Sequence, residues 1–393
     1  MKVLFLGYAV SKEKAERLSG ASIAGNKMQL NIIRGLAEQA DIQLNVLTIY
    51  PVASYPRDRK LGYRRKKEKL GDGIWCTRVS FINLPIIKQL YQVASLLVET
   101  IKMADKDTII LAFNQYPQVG IVCRFAKRIV GCNIVSVMAD APINDSMGQN
   151  NRLRNLFNRL TEFCIKDCDA IIALNKNIVE KYAPGTVYTV VEGGAEIDES
   201  SDFVYNAPTR KNVVYAGALT HYSGILTLME AMSYIEDTEL VLEIYGDGVL
   251  RDEIAEASKY RKNIKYYGRV GNKEILEIQK KAFLLVNPRR TDDPIANYTF
   301  PSKMFEYMIS GTPVLSTKLS GYSDEFLKHI YTTDDNARDM ACTLKGLANM
   351  SSEEAKKTAE HAFRFIQRNM CWKKQSEKIY HFLEELKNSE VKD

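Results

Sequence analysis

The sequence of 393 residues lacks any run of about 18 uncharged apolar residues, the length that a membrane-spanning helix requires. Its apolar beginning, MKVLFLGYAV, leads into charged residues and lacks the small-residue cleavage site of a secretion signal. These absences argue against a spanning helix and against secretion. We therefore predict that residues 2–8 form a buried strand and that the protein is cytoplasmic.

Metal-binding patterns are also missing. The seven cysteines are an odd number and no two of them have CxxC spacing. Cys164 and Cys168 are four residues apart, but no further Cys or His cluster completes a site with them. We expect reduced, mostly buried thiols and no metal or other cofactor.

Positive charge is concentrated in one segment. Residues 57–69 contain eight Lys or Arg and two acidic residues, so their excess of six equals the net charge of the whole chain. The segment is either a solvated, mobile loop or a contact for an anionic membrane surface. The candidates for that contact are Arg64, Arg65, Lys66 and Lys67.

The apolar segment 81–103 follows shortly afterwards and is either core or a part that enters the membrane interface. The basic residues are confined to one segment and no recognition motif accompanies them. Nucleic acid is therefore not an expected partner.

Continuous apolar runs alternate with helical patterns along most of the chain. Residues 107–113 and 133–139 are such runs in the first half, and residues 211–217 restart the pattern after a polar segment near residue 200. Strands separated by helices of this length indicate doubly wound parallel sheets.

The fold class that we predict is α/β, with two doubly wound Rossmann-like domains facing a cleft. The first domain is expected at residues 1–200 and the second at residues 201–370. The tail, residues 371–393, contains no strand pattern and is predicted to be helical.

Ligands of such sheets bind beyond the carboxyl ends of the strands, so the strand-to-helix turns are the candidate sites. In the first domain the turn of residues 19–26 is rich in Gly, Ser and Ala, and Ser22 and Gly25 are candidates for binding an acceptor or a phosphate. This turn lacks the GxGxxG pattern of dinucleotide-binding domains, and the alternative is a flexible polar loop. Asp140 follows another strand and either orients an acceptor hydroxyl or caps the turn of residues 139–145.

In the second domain Gly217 and Gly246 end successive strands, where glycine permits the close approach of a ligand. The segment 287–317 has the richest pattern. Pro301 is expected to begin a helix, with Ser302 and Lys303 in its first turn.

Arg289 and Arg290 precede this helix, and together with Lys303 they form a set of cations suited to a diphosphate. Glu306 lies one turn further along, where a carboxylate can accept hydrogen bonds from a ribose diol. Taken alone, Glu306 is better explained as a capping charge or a charge on a helix surface.

Several motifs resemble those of GT-B glycosyltransferases of the group 1, or family 4, type. The strongest are VVYAGALTHYSGILTLMEAM, LEIYGDGVLRDEI, IKYYGRVGNKEI and the segment from NPRR to YTFPSKMFEYMISGTPVLST. The combination of NPR with FPSK is similar to that of a branch of the family whose members build capsule and exopolysaccharide. The resemblance extends over nearly the whole chain, and it implies that the last helix crosses back onto the first domain.

The resemblance implies roles for individual residues. Glu306 matches the second glutamate of the family's E-x7-E motif, which holds the nucleotide ribose, and Tyr298 stands at the first. Ala218 and Ser223 stand where many members have an Arg and a Lys that hold the donor phosphates. Arg289, Arg290 and Lys303 are the nearest cations, and Arg289 is assigned the stabilisation of the leaving diphosphate.

The implied reaction is transfer of a sugar from a nucleoside-diphosphate sugar, with UDP favoured, to a glycan or lipid-linked glycan, with retention. The four histidines begin at His221, so none in the first domain can act as a base. In an inverting reaction Asp140 would be the carboxylate best placed as the base, and in a retaining one it would orient the acceptor hydroxyl. Two alternatives remain open at this point, a nucleotide-sugar 2-epimerase of the same fold and an inactive protein that binds nucleotide or glycan.

Overall fold

The computed structural model describes residues 1–143, 152–235, 237 and 239–390, with only the backbone of residue 390. The chain divides into two compact units. The first comprises Met1–Gly193 together with Trp372–Asp393, and the second comprises Gly194–Cys371. Residues 144 and 145 of the turn after Asp140, and residues 391–393 of the predicted helical tail, lie outside the described residues.

The first unit is built on a sheet that is parallel except at one edge. Its strands are β1 (Lys2–Gly7), β2 (Gln43–Thr48), β3 (Gly62–Tyr63), β4 (Lys66–Gly71), β5 (Ile74–Arg78), β6 (Phe81–Ile82), β7 (Thr108–Phe113), β8 (Asn133–Met138), β9 (Ala170–Ala173) and β10 (Val187–Val190). In its described part the main sheet has the order β10-β9-β8-β7-β1-β2-β5-β4, and β4 is antiparallel to β5. Every residue of β7 is buried, as expected for a strand of a sheet covered on both faces.

Helices follow most of these strands. They are α1 (Lys12–Ala15), α2 (Ile23–Ala37), α3 (Ile87–Met103), α4 (Pro117–Val130), α5 (Arg152–Ile165) and α6 (Lys176–Tyr182). The side chain of Ser22 caps α2 by accepting the Gly25 backbone N–H at 3.1 Å. The turn predicted at residues 19–26 therefore leads into α2, which begins at Ile23.

The alternative of a loop over residues 57–69 is wrong for two parts, because Gly62–Tyr63 form β3 and residues 66–69 belong to the edge strand β4. Glu68 is buried there and forms ion pairs with Lys14 and Arg78, at 2.6 and 2.7 Å. Charged side chains are common on edge strands, where they discourage further pairing. The four candidate membrane cations, Arg64 to Lys67, are exposed.

Helix α3 has an inverted distribution of polar and apolar residues. Its buried residues include Lys88, Gln92 and Glu99. Its exposed large apolar residues lie on one face of the helix and are Ile87, Leu90, Tyr91, Val98 and Ile101. A helix that packed only on a protein core would show the opposite arrangement.

The second unit has the same design. Its strands are β11 (Asn212–Ala216), β12 (Val241–Tyr245), β13 (Ile264–Gly268), β14 (Leu284–Asn287), β15 (Val314–Thr317) and β16 (Tyr331–Thr333). In the described residues they pair in parallel in the order β13-β12-β11-β14-β15-β16. The helices are α7 (Ile225–Ser233), α8 (Arg251–Lys259), α9 (Asn272–Gln279), α10 (Lys303–Ile309), α11 (Asp324–Leu327), α12 (Ala337–Leu347) and α13 (Ser352–Asn369). The predicted fold class, α/β with two doubly wound domains, is confirmed.

The chain then returns to the first unit through α14 (Trp372–Glu390). This helix packs against α2 so closely that a Cβ on Gly35 would lie 2.1 Å from the Ser376 side chain. The Ser376 hydroxyl donates to the carbonyl of Asn31 at 3.4 Å. Glycine at residue 35 is therefore required by the contact between the two helices.

Candidate active site

A cavity of about 560 Å³ lies at the carboxyl edge of the sheet in the second unit. Four strands supply its wall, each through the residues that end it or directly follow it. These are Gly217 after β11, Gly246 after β12, Arg269 after β13, and Asn287 at the end of β14. The cavity thus lies where parallel sheets bind ligands.

The backbone at this edge is closely packed. Gly246 has a φ of +147°, and a Cβ there would lie 1.8 Å from the carbonyl oxygen of Gly217. The Gly217 N–H donates to the carbonyl of Tyr245 at 3.0 Å. Glycine at residue 246 is therefore needed to bring two successive turns together, leaving room for a ligand above them.

Lys303 lines this cavity from the first turn of α10 and is half-buried. The helix begins at Lys303 itself, two residues after the predicted start, because Pro301 and Ser302 form a preceding turn in which Met304 N–H bonds to the Pro301 carbonyl. The Lys303 ammonium lies 4.2 Å from the centroid of the Tyr215 ring. Burial, and secondarily the Arg289 guanidinium, lower the pKa of Lys303 to about 7.

Arg289 lines the same cavity from the loop after β14. Its guanidinium lies 5.7 Å from the centroid of the Tyr222 ring, and its buried Nε has no hydrogen-bond partner in the part of the chain that the structure describes. Burial lowers its pKa. Among the described residues neither Arg289 nor Lys303 forms an ion pair with a carboxylate. Two adjacent cations without a counterion are suited to receive an anion.

Ser302 and Glu306 also line the cavity, so the structure brings together six of the predicted residues. These are Gly217, Gly246, Arg289, Ser302, Lys303 and Glu306. Glu306 lies three residues after Lys303 on α10, and residues at this spacing share one face of a helix.

Two predicted donor residues are placed elsewhere. Arg290 forms a two-point ion pair with Asp292 and is not part of the cavity wall. Tyr298 ends a 3-10 turn, Pro294–Tyr298, and is likewise not in the wall.

The sequence interpretation missed other residues of the wall, notably Arg269, Gln279 and Tyr222. Arg269 directly follows β13, so the rule of strand ends would have found it. Gln279 is buried at the end of α9, and its Oε1 has no partner among the described residues. No pattern in the sequence distinguishes it from an ordinary helix residue.

A second cavity, of about 350 Å³, belongs to the first unit. It contains all three residues predicted there, Ser22, Gly25 and Asp140, although they follow different strands. Its wall is rich in aromatic and amide side chains, including Tyr8, Tyr116, Phe157, Gln29 and Gln92. This combination suits a carbohydrate, whose apolar faces stack on rings and whose hydroxyls bond to amides and carboxylates.

Asp140 is held by hydrogen bonds from two neighbours. The Tyr116 hydroxyl donates to its Oδ2 at 2.5 Å, and the Asn114 amide donates to the same oxygen at 3.2 Å. Burial, reinforced by Asp140, raises the pKa of Tyr116 well above its usual range, so its hydroxyl remains a donor. The other carboxylate oxygen of Asp140, Oδ1, has no hydrogen bond to Tyr116 or Asn114.

Asn114 adopts a left-handed backbone with a φ of +56°, which asparagine tolerates better than most residues. Its Oδ1 accepts the backbone N–H of Ala139 at 2.8 Å and of Asp140 at 3.1 Å. Asn114 therefore fixes both the backbone and the carboxylate of Asp140. The sequence interpretation did not select Asn114.

Comparison with solved structures shows the same fold over almost the full length of each chain. The sucrose-phosphate synthase of Thermosynechococcus elongatus is 13% identical with a TM-score of 0.71, covering 99% of this chain and 100% of that one. Anabaena Alr3699/HepE in complex with UDP is 15% identical with a TM-score of 0.66, covering 98% and 100%. The lipopolysaccharide outer core galactosyltransferase WaaB is 15% identical with a TM-score of 0.65, covering 97% and 99%. No curated protein sequence matches significantly.

The two doubly wound units and these likenesses define the GT-B fold. Residues 210–349, which lie in the second unit, match the family model described as glycosyl transferases group 1. This part of the chain therefore resembles the glycosyltransferases of that group, as its motifs predicted.

Proposed function

We propose that the enzyme transfers a sugar from a nucleoside-diphosphate sugar, with UDP favoured, to a glycan or lipid-linked glycan during surface polysaccharide synthesis, with retention. The observation that carries this proposal is the pair Arg289 and Lys303 in the cavity of the second unit. Each is a cation that lies over a tyrosine ring and has no carboxylate partner in the described part of the chain.

A diphosphate is the ligand that best explains this pair. Its two negative charges would neutralise both side chains and would grow as the bond to the sugar breaks. Cations fixed in advance at the leaving group lower the barrier to that step, and removing one such group typically costs about 100- to 1000-fold in kcat. The two side chains supply the charge that a metal ion provides at other phosphates, so we propose transfer without a metal. Chelation should leave turnover unchanged.

Glu306 is proposed to bind the ribose of the donor. It shares a helix face with Lys303 in the same cavity, so a nucleotide whose diphosphate met Lys303 would have its ribose within one turn of the helix. A carboxylate can accept bonds from both ribose hydroxyls.

Two similar structures support the choice of donor and of stereochemistry. Anabaena Alr3699/HepE has also been solved with UDP-glucose. A trehalose-6-phosphate synthase, 11% identical with a TM-score of 0.66, is described as acting with retention. In a retaining reaction no histidine base is needed, and Asp140 would orient the acceptor hydroxyl.

We also propose that the protein binds peripherally to an anionic membrane. Among the described residues no helix is both long and apolar enough to cross a bilayer. The apolar face of α3 is nevertheless exposed, and the basic segment adjoins it, since Arg65 bonds to Glu99 of α3 at 2.9 Å. An apolar helix face flanked by cations is the arrangement with which interfacial helices bind anionic lipid.

The donor assignment is tested by titrating UDP and 2′-deoxy-UDP into the wild type and Glu306→Ala. We expect the wild type to prefer UDP by about tenfold, the value of one hydrogen bond to a charged group. Glu306→Ala should bind UDP about 10- to 100-fold more weakly and should not distinguish the two ligands. The control is Glu253→Ala, which removes an exposed carboxylate of α8.

A panel of UDP- and GDP-sugars, followed by detection of released nucleotide, then identifies the donor. Absence of binding to every nucleotide-sugar would refute the proposal. Retention of the 2′-deoxy preference in Glu306→Ala would refute only the role of that residue.

A further inference from the structure

Lys88 is a buried cation in the first turn of α3. Only 8% of its surface is exposed, whereas lysine is among the residues least often buried without a charged partner. Its ammonium donates to the carbonyl of Val52 and lies 5.7 Å from the Phe81 ring centroid. Burial lowers the pKa of Lys88, against a smaller opposing effect of the Asp58 carboxylate.

The hydrogen bonding of Lys88 is incomplete. An ammonium has three N–H donors, and the described residues provide Lys88 with one carbonyl acceptor and no ion pair. A buried charge whose hydrogen-bond donors are not all satisfied lowers the stability of the fold. An apolar residue of similar size would lower it less. A ligand that accepts the remaining hydrogen bonds of the ammonium would explain why a lysine is buried here.

Lys88 faces the same cavity as Asp140. The wall of the 350 Å³ cavity includes Lys88, Asp140 and, at the beginning of α2, Ser22 and Gly25. The first turn of a helix of 15 residues carries N–H groups without partners inside the helix and the positive end of its dipole. The cavity therefore combines one carboxylate, held by Asn114 and Tyr116, with a buried cation and a helix N-terminus.

We propose that this cavity binds an acceptor that carries an anionic group, most simply a phosphate ester, with Lys88 and the first turn of α2 at the anion and Asp140 at the hydroxyl. The inference rests on the proposed function, which makes this cavity the acceptor site. A phosphate is favoured because a lysine beside a helix N-terminus is a common phosphate site. It also agrees with the exposed apolar face of α3, since the helix that would meet lipid is the helix that carries Lys88.

The test measures the preference of the full-length protein for charged over neutral sugars. Glucose 6-phosphate, glucuronate and glucose are titrated into the protein saturated with UDP. We expect the wild type to bind glucose 6-phosphate at least about tenfold more tightly than glucose, as one charge-assisted hydrogen bond predicts. A preference for glucuronate as large as that for the phosphate would identify the anion as a carboxylate and would support the same site.

Lys88→Met should abolish the preference, and Lys88→Arg should keep it. The matched control is Lys102→Met on the same helix, whose ammonium is exposed and pairs with Glu99 at 3.2 Å. It should behave as the wild type. A wild type without preference for either anion, or a Lys88→Met variant that retains it, would overturn the inference.

Binding of UDP is measured on every variant. It depends on the other cavity, so a protein that binds UDP but shows no anion preference refutes this inference alone. A protein that binds no nucleotide refutes the proposed function instead.

Discussion

Arg289 and Lys303 lie in one cavity, and each cation is placed over a tyrosine ring, at 5.7 and 4.2 Å from the ring centroids, instead of beside a carboxylate. Arg290, the next residue after Arg289, is neutralised by Asp292. The two adjacent arginines therefore differ, because the charge of Arg290 is neutralised by a carboxylate and that of Arg289 is not. Only one of them carries charge that a ligand can use.

Arg289→Ala should lower kcat/KM for the donor by about 100- to 1000-fold, because it removes a cation from the leaving diphosphate. Arg290→Ala is the matched control and should change kcat/KM by less than about threefold, since its charge is already neutralised by an exposed neighbour. Steady-state kinetics with the donor found in the panel measures both values. Equal losses in the two variants would contradict the assignment.

The affinity for UDP-glucose should fall as pH rises above 7. The pKa of Lys303 in the free protein is about 7, and a bound diphosphate would raise it. Binding above pH 7 then requires uptake of a proton, which costs up to about tenfold in affinity for each pH unit. Burial raises the pKa of Tyr215 to about 12 and that of Tyr307 further, so neither ring titrates in this range.

Lys303→Arg provides the control for this titration, because an arginine remains charged throughout. Its affinity should be nearly independent of pH between 6 and about 9. UDP-glucose is preferred to UDP as the probe, because free UDP has a phosphate that itself titrates near pH 6. A wild type whose affinity does not change with pH would show that Lys303 is not at the diphosphate.

Polar substitution of the exposed face of α3 should reduce membrane binding. Leu90 is 69% exposed and Val98 is 51% exposed. The double variant Leu90→Gln/Val98→Gln should bind vesicles of phosphatidylglycerol and phosphatidylcholine at least about tenfold more weakly. Binding of UDP should be unaffected. Val249→Gln, at a position 78% exposed in the second unit, is the control.

Neutralising the basic segment tests the electrostatic part of the same surface. Replacing Arg64, Lys66 and Lys67 by Gln should cost about 1 kcal/mol of binding per residue on anionic vesicles. Arg65 is retained because it bonds to Glu99. Vesicles of phosphatidylcholine alone should show no effect of this change. Unaltered sedimentation with anionic vesicles would refute the role of the segment.

Asn114→Gly should slow turnover while leaving donor affinity unchanged. Glycine accepts the left-handed backbone of residue 114, so the variant removes the side-chain bonds to Asp140 without straining the fold. We expect a loss of about 10- to 100-fold in kcat from a misplaced carboxylate. The loss should be much smaller in the background of Asp140→Asn, which would show that Asn114 acts through Asp140. Equal losses in both backgrounds would contradict this.

The parts that the sequence predicted well are those where one residue type has one structural use. Apolar runs of six or seven residues are strands of a covered sheet, and β7 and β11 lie where they were expected. Lys303 and Glu306 were found because a motif fixes their spacing. The different surroundings of Arg289 and Arg290 were not predicted, because the sequence does not show which of the two lines the cavity and which pairs with Asp292.

The inverted face of α3 is another relationship that periodicity alone does not reveal. The spacing of its apolar residues predicts an amphipathic helix but not which face is buried. Burial of Lys88 and Glu99 depends on partners such as Val52 and Arg65, which are distant in sequence. The edge strand β4 was missed for a related reason, since its lysines are typical of solvated loops.

The return of α14 to the first unit has a consequence for biosynthesis. The ribosome releases residues 1–193 long before residues 372–390. Helix α2 therefore lacks its packing partner until α14 has been synthesised. During that interval the surface around Gly35 has no cover from Ser376, and the second unit is synthesised as an insertion. Completion of the first unit therefore waits for the synthesis of α14, and a chain truncated at Cys371 would leave the surface around Gly35 uncovered even though it contains both sheets.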